Sequence, residues 1–193
     1  MINETGCIKA IGQGSEDALE QLYNHYCDRV FNTIISYTKN EEDAEELLQD
    51  VFVTIYNTAS NFQFNSSVST WIYRIVVNKS LDFLRKKNRK KRSGIFTSLY
   101  VKDSSEIKYE SPDFAHPGVK LENKEDAQQL FKAIDSLSEN QKTAFILTQV
   151  EGLPQKEVAE IMKQSRKSVE SLVQRAKASL RKELEKLYPE RGK

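Results

Sequence analysis

Along most of the chain, apolar residues return every three or four positions, and the alternation expected of strands is hard to find. The pattern predicts an all-α fold. A first helix runs from about Glu16 into Thr38, with Leu19, Leu22, Tyr23, Tyr26, Val30, Phe31, Ile34 and Ile35 on its buried side. In "NEEDAEELLQDVFVTIYNTA", Asn40 or Asp43 caps a second helix. Its early carboxylates suit the positive end of the helix dipole. Ala44, Leu47, Leu48, Val51, Phe52 and Ile55 form its apolar stripe, which turns Glu45, Glu46, Gln49 and Asp50 outward.

The small and polar run "SNFQFNSSVS" interrupts the helices, and Ser69 or Thr70 caps a long helix starting near Trp71. Ile72, Ile75, Val76, Leu81 and Leu84 point inward on it. It ends in "RKKNRKKR", a nearly unbroken row of positive charge. From Ser93 to Lys124 the periodicity fades, and the stretch reads as a flexible linker.

Helical patterning resumes at about Glu125, with Leu130, Ile134 and Leu137 apolar. Ser138 and Gln141 make a capping-box signature for a helix that Gly152 ends, and Pro154 suits the first position of the next. "PQKEVAEIMKQSRKSVESLVQRAKASLRKEL" then gives a short helix, a polar turn and a longer helix capped by Ser165. This is the outline of a helix-turn-helix. The chain therefore divides into a tail (1–14), a first helical module (15–92), the linker (93–124) and a second module (125–193).

Charge changes this picture where composition does not. The formal net charge is only +1, yet six acids oppose one lysine from Lys39 to Asp50, and nine basic residues oppose Asp82 alone from Trp71 to Arg92. From Pro154 onward there are eleven basic and six acidic residues. One acidic face and two basic regions suit a chain that touches a polyanion at two places and a basic protein surface at a third. No apolar run approaches the roughly 20 residues of a membrane span, so no membrane insertion is expected. The amino terminus lacks the features of a secretory signal, which places the chain in the cytoplasm. Cys7 and Cys27 form no Cys-x-x-Cys pair, and His25 and His116 are isolated from them, so neither a metal nor a cofactor is implied. With no phosphate-binding glycine loop and no nucleophile paired with a base, an enzyme is not expected.

Lysines at a helix end are commonly only solvated, or complement the helix dipole. Here they follow a loop holding Phe62, Phe64, Asn65, Ser66 and Ser67. Rings stack on bases and amides bond their edges, so the loop offers what a single strand or an extruded base needs.

Three segments together, "DAEELLQDVFVTIY", "STWIYRIVVNKSLDFLR" and "LSENQKTAFILTQVEGLPQKEVAEIMKQSRKSVESLVQRAKASL", resemble a bacterial sigma-70 family sigma factor of the extracytoplasmic-function group. The resemblance covers about residues 15 to 92 and 125 to 185, in the same order and with the same gap. It implies a transcription initiation factor that binds core RNA polymerase through its beta and beta-prime subunits, directs it to promoters and helps melt them. Glu46, Gln49 and Asp50 match the residues that dock on polymerase. The loop from Asn61 to Ser67 matches the segment that captures an unpaired base of the minus-ten element. Arg74, Asn78, Lys79, Arg85, Lys86 and Arg89 are candidates for contacts to that strand, and Trp71 is mainly core. The helix after Ser165 matches the reader of the double-stranded minus-thirty-five element, through Arg166, Lys167, Glu170, Ser171, Gln174, Arg175 and Lys177, whose side chains suit base edges or phosphates. A partner anti-sigma factor that masks the polymerase-binding surface is a further implication.

The linker, about 32 residues, reaches at most roughly 100 Å, beyond the ~70 Å of two duplex turns. Three positions depart from the family's usual form. Lys163 stands where glycine is common, Leu172 where arginine is common, and "FQF" where arginine followed by glycine is often found. The competing reading is a helix-turn-helix regulator that binds DNA without engaging polymerase, and the acidic helix and aromatic loop are what distinguish the two.

Overall fold

The computed structural model describes residues 2–98 and 124–187, and among them every regular element is helical. The helices are α1 (Glu4–Ile11), α2 (Glu16–Thr38), α3 (Glu41–Thr58), α4 (Val68–Ser98), α5 (Lys124–Asp135), α6 (Glu139–Phe145), α7 (Gln155–Met162) and α8 (Arg166–Leu187). A 3-10 turn, Ala59–Asn61, follows α3, and a π-helical turn, Ile146–Val150, follows α6. None of the helices is long and apolar enough to cross a membrane.

Local chemistry sets most of the boundaries. Ser15 Oγ accepts from the Ala18 amide at 3.2 Å to start α2, and Asn40 Oδ1 accepts from the Asp43 amide at 2.7 Å to start α3. All six expected apolar residues of α3 are buried, and with Leu22, Tyr26, Val30, Ile34, Ile72 and Val76 they form the core of the first domain. The cap of α4 is neither Ser69 nor Thr70. Ser67 Oγ accepts from the Thr70 amide at 3.0 Å, so the helix begins at Val68, which is itself buried.

Three further expectations need correction. The supposed tail carries α1: Asn3 Oδ1 accepts from the Gly6 amide at 3.0 Å, and Cys7, Ile8 and Ile11 are buried against the first core. Tyr23, expected inside, is 39% exposed and meets Phe52 edge-on at 4.8 Å. Helix α4 continues through the basic row to Ser98, inside the stretch assigned to the linker, and residues 99–123 of that linker lie outside the described residues.

In the second domain the Gln141 side chain accepts from the Ser138 amide at 3.2 Å, as the capping box requires. Gly152 closes the π-helical turn at φ +68°, a conformation open to glycine without a Cβ clash. Between α7 and α8, Lys163 takes the left-handed conformation (φ 53°, ψ 43°) that the usual glycine would supply. Ser165 Oγ then accepts from the Ser168 amide at 3.1 Å to start α8.

The two domains are packed together. Tyr73, Val77 and Leu81, about 100° around α4 from the Ile72 and Val76 stripe, join Ala144, Leu147, Leu153, Val158, Leu172 and Val173 in one apolar cluster. Tyr37 of α2 enters another with Phe131, Ile134 and Leu137. Polar bonds cross this seam. The Tyr37 hydroxyl donates to Thr143 Oγ1 at 3.1 Å, and the Tyr73 hydroxyl to Glu151 Oε2 at 3.2 Å. Lys39 bonds the Phe131 carbonyl at 2.7 Å and also the Asp135 carboxylate. Desolvation in the seam lowers the Lys39 pKa and raises that of Glu151.

Candidate nucleic-acid and protein interfaces

The turn between α3 and α4 builds an open cleft of about 310 Å3, lined by Thr58, Asn61, Phe62, Gln63, Asn65, Ser66, Trp71 and Arg74. Its platform is aromatic. Phe62 is half-buried, its inner side held by the first core, and it stacks on Trp71 with ring centroids 4.6 Å apart and planes 19° apart. Phe64 lies outside the cleft wall, tilted against Phe62 at 4.7 Å and 38% exposed. Its backbone is left-handed (φ 55°), a conformation that costs energy for a bulky residue and that the packing of its neighbours must hold.

Of the loop residues singled out in the sequence, Phe62, Asn65 and Ser66 converge on the cleft and Arg74 reaches it from α4. Ser67 is occupied as the α4 cap, its hydroxyl also 2.8 Å from Thr70 Oγ1. Trp71, expected as mainly core, is half-buried and lines the cleft as well. Thr58 and Gln63 were not singled out. Thr58 has its hydroxyl 2.6 Å from the Thr54 carbonyl and offers no sequence signal of its own, whereas Gln63, an amide between two aromatics, does.

Three of the five cations expected along α4 are engaged within the molecule. Arg74 donates from Nε and Nη2 to the Glu160 carbonyl, at 3.1 and 2.9 Å. That carbonyl belongs to the last turn of α7, where orphan acceptors and the negative dipole end favour a guanidinium. Arg85 meets Asp82 at 3.2 Å and Glu139 at 2.5 Å, while Lys79 lies 3.5 Å from Asp50. Asn78, Lys86 and Arg89 are exposed.

On the outer side of α3, Glu46, Gln49 and Asp50 are all exposed and lie within about one helical turn of each other, an acidic surface continued by exposed Val53 and Tyr56. On α8, Arg166, Lys167, Glu170, Gln174, Arg175 and Lys177 are exposed and Ser171 is partly so. Arg175 Nη2 bonds Ser171 Oγ at 3.0 Å. Leu172, by contrast, is buried in the cluster shared with α4, which explains its departure from arginine: it packs rather than contacts phosphate.

Comparison with known proteins matches both halves. The family described as Sigma-70 region 2 covers residues 22–90, and that described as Sigma-70, region 4 covers residues 127–180. The chain is 25% identical over 187 residues to the RNA polymerase sigma-H factor of Pseudomonas aeruginosa, spanning 95% of this chain and 94% of that one. It is 25% identical over 183 residues to the ECF RNA polymerase sigma factor SigW of Bacillus subtilis, spanning 93% and 96%. Among solved structures, CnrH in complex with the cytosolic domain of CnrY shares the fold with a TM-score of 0.66 at 20% identity, over 94% of this chain and 97% of that one. The sigma factor RpoE of Bartonella quintana, solved with the anti-sigma factor NepR, matches with a TM-score of 0.66 at 22% identity, over 86% and 96%. With both regions matched in order and relatives aligned over nearly their whole length, the chain belongs to the sigma-70 family, as a sigma factor of the extracytoplasmic-function group.

Proposed function

We propose that the chain works as a transcription initiation factor in which the acidic face of α3 docks on core RNA polymerase, the cleft between α3 and α4 captures an unpaired promoter base, and α8 reads a second promoter element as duplex. The carrying observation is the cleft. A stacked aromatic pair, three amides and a guanidinium from α4 converge within the region 2 match. Stacking on an aromatic platform is worth about 1–3 kcal/mol per base, comparable to the few kcal/mol needed to unstack one. Melting then runs on binding energy, with no bond made or broken by this protein. The exposed guanidinium, amide and carboxylate groups of α8 have base edges to read in a major groove, and its lysines have phosphates to meet.

Glu46, Gln49 and Asp50 bear the docking because they are exposed and carry net negative charge. The 3.5 Å contact of Asp50 with Lys79 is a surface pair of small energy, easily exchanged for another cation. An anti-sigma factor covering this face would switch the chain off. RpoE of Bartonella quintana was solved in complex with an anti-sigma factor, NepR.

The test is promoter opening by holoenzyme carrying Phe62→Ala or Phe64→Ala, followed by the fluorescence of a base analogue placed in the melting region. Opening is expected to fall by about 5- to 150-fold, the equivalent of 1–3 kcal/mol, while binding to closed duplex stays within about twofold. Equal losses in both would remove the base-capture role.

A further inference from the structure

Helix α1 lies wholly outside the region 2 match, which begins at residue 22, yet it is built against the cleft. Cys7, Ile8 and Ile11 pack into the first core, and the Tyr26 hydroxyl donates to Glu4 Oε1 at 2.6 Å. At the far end of α1, Gly12 meets the backbone of Ser60 so closely that an added Cβ would lie 3.1 Å from Ser60 Cα and N. The helix is thereby fixed to the 3-10 turn that leads into the aromatic loop. Lys9, in its last turn, is exposed and holds its ammonium 5.6 Å from the centroid of the Phe64 ring.

The situation of this lysine resembles that of exposed Lys86 and Arg89 on α4 and differs from that of three other cations there. Lys79, Arg85 and Lys87 each pair with a carboxylate, whereas among the described residues no carboxylate lies within ion-pair distance of Lys9. Its neighbour is an exposed ring on the loop that forms the cleft. A base captured beside that loop carries flanking phosphates, and an unpaired ammonium on a rigid element next to the loop is suited to meet one.

We propose that Lys9 is a nucleic-acid contact: it binds a backbone phosphate flanking the captured base and, through its ring contact, keeps Phe64 turned toward that base. Helix α1 thus forms part of the single-strand site, which extends beyond the residues of the region 2 match. The inference rests on the base-capture reading given above.

The experiment uses holoenzyme assembled with the full chain, and the probe is a fluorescein-labelled single-stranded oligonucleotide spanning the melted stretch of a promoter that the wild-type holoenzyme transcribes. Kd is measured from about 0.05 to 0.5 M salt for wild type, Lys9→Ala, Lys9→Arg and Phe62→Ala. Each phosphate neutralised on a single strand contributes a slope of about −0.7 in log K against log salt. Lys9→Ala should therefore flatten the slope by about 0.7 and weaken binding about fivefold near 0.1 M salt, and Lys9→Arg should restore both. A Lys9→Ala slope and affinity equal to wild type, with Phe62→Ala still weakened, would overturn the inference and leave base capture standing. If Phe62→Ala also binds as wild type does, base capture itself fails, and the role of Lys9 with it.

Discussion

Tyr73 and Ile72 are neighbours on α4, both fully buried, but they belong to different cores. Ile72 packs within the first domain, and Tyr73 packs across the seam against the second. Alanine at either position removes a large buried side chain. For an aromatic the cost is about 3–5 kcal/mol, and for isoleucine about 2–5 kcal/mol. At Ile72 the loss falls on the folding of the first domain. At Tyr73 most of it falls on domain closure, where 3–5 kcal/mol is roughly two to three and a half powers of ten in the ratio of closed to open forms.

Tyr73→Phe gives an intermediate step. It removes only the hydroxyl that donates to Glu151 at 3.2 Å, and because Thr33 and Arg29 still attend that carboxylate the cost falls at the lower end, about 1 kcal/mol. The assay is small-angle scattering of the free chain alongside thermal unfolding. A compact chain of this length has a radius of gyration of about 16 Å. Tyr73→Ala should rise clearly above the wild-type value, Tyr73→Phe should shift less, and Ile72→Ala should keep the wild-type radius while lowering Tm. A Tyr73→Ala radius equal to that of wild type, or an equal expansion in Ile72→Ala, would refute the division of α4 into one face per core.

Two further predictions concern the same architecture. Glu151 lies at the seam beside Thr33 of α2, the Tyr73 hydroxyl of α4 and Arg29 of α2, and desolvation raises its pKa above 4.5 despite their opposing influence. The closed form therefore binds this proton more tightly than the open form. Closure should weaken as pH rises from about 4.5 through the raised value and then level off, and scattering across this range should show the dependence vanish in Glu151→Gln. Separately, Lys163 holds a left-handed backbone at φ 53° with a Cβ present, so Lys163→Gly should stabilise the second domain by about 0.5–1 kcal/mol, read as a Tm increase of about 2–8 °C for that domain.

What the sequence discloses depends on how many residues carry each signal. Helix α3 was legible because six apolar positions repeat on one face and the cap precedes three acids in its first turn. Helix α1 was not, since four apolar residues in eight, three of them buried, make too short a pattern to separate from a tail. The run Ser66, Ser67, Val68, Ser69, Thr70 contains several capable caps, and only the burial of Val68 selects Ser67. The second face of α4 was hidden for a different reason. Tyr73 and Val77 merely widen an apolar stripe, and nothing local reveals that their partners lie about 70 to 100 residues onward. The loop residues were found by their chemistry, yet the left-handed turn at Phe64 has no glycine to announce it.

The basic side chains show most directly that a charge in a sequence has no fixed destination. Arg74 and Arg85 are cations on a helix suited to a DNA strand, and in the closed molecule they bond the Glu160 carbonyl and the Glu139 carboxylate of the other domain. Arg74 already lines the cleft, so a strand that engages its guanidinium there competes with the Glu160 carbonyl of α7. On the base-capture reading proposed above, the closure that Tyr73 supports and affinity for single-stranded DNA are linked through one shared group, and such a linkage is reciprocal. If only a fraction of molecules is open, apparent affinity falls by that fraction, so whatever opens the seam raises DNA affinity by the same factor. On the docking reading proposed above, polymerase at α3 supplies this opening only by contacts that differ between the two forms, because equal affinity for both shifts nothing. Glu46, Gln49 and Asp50 lie outside the seam clusters, so docking there gains such leverage only if the bound polymerase also meets surface that closure covers.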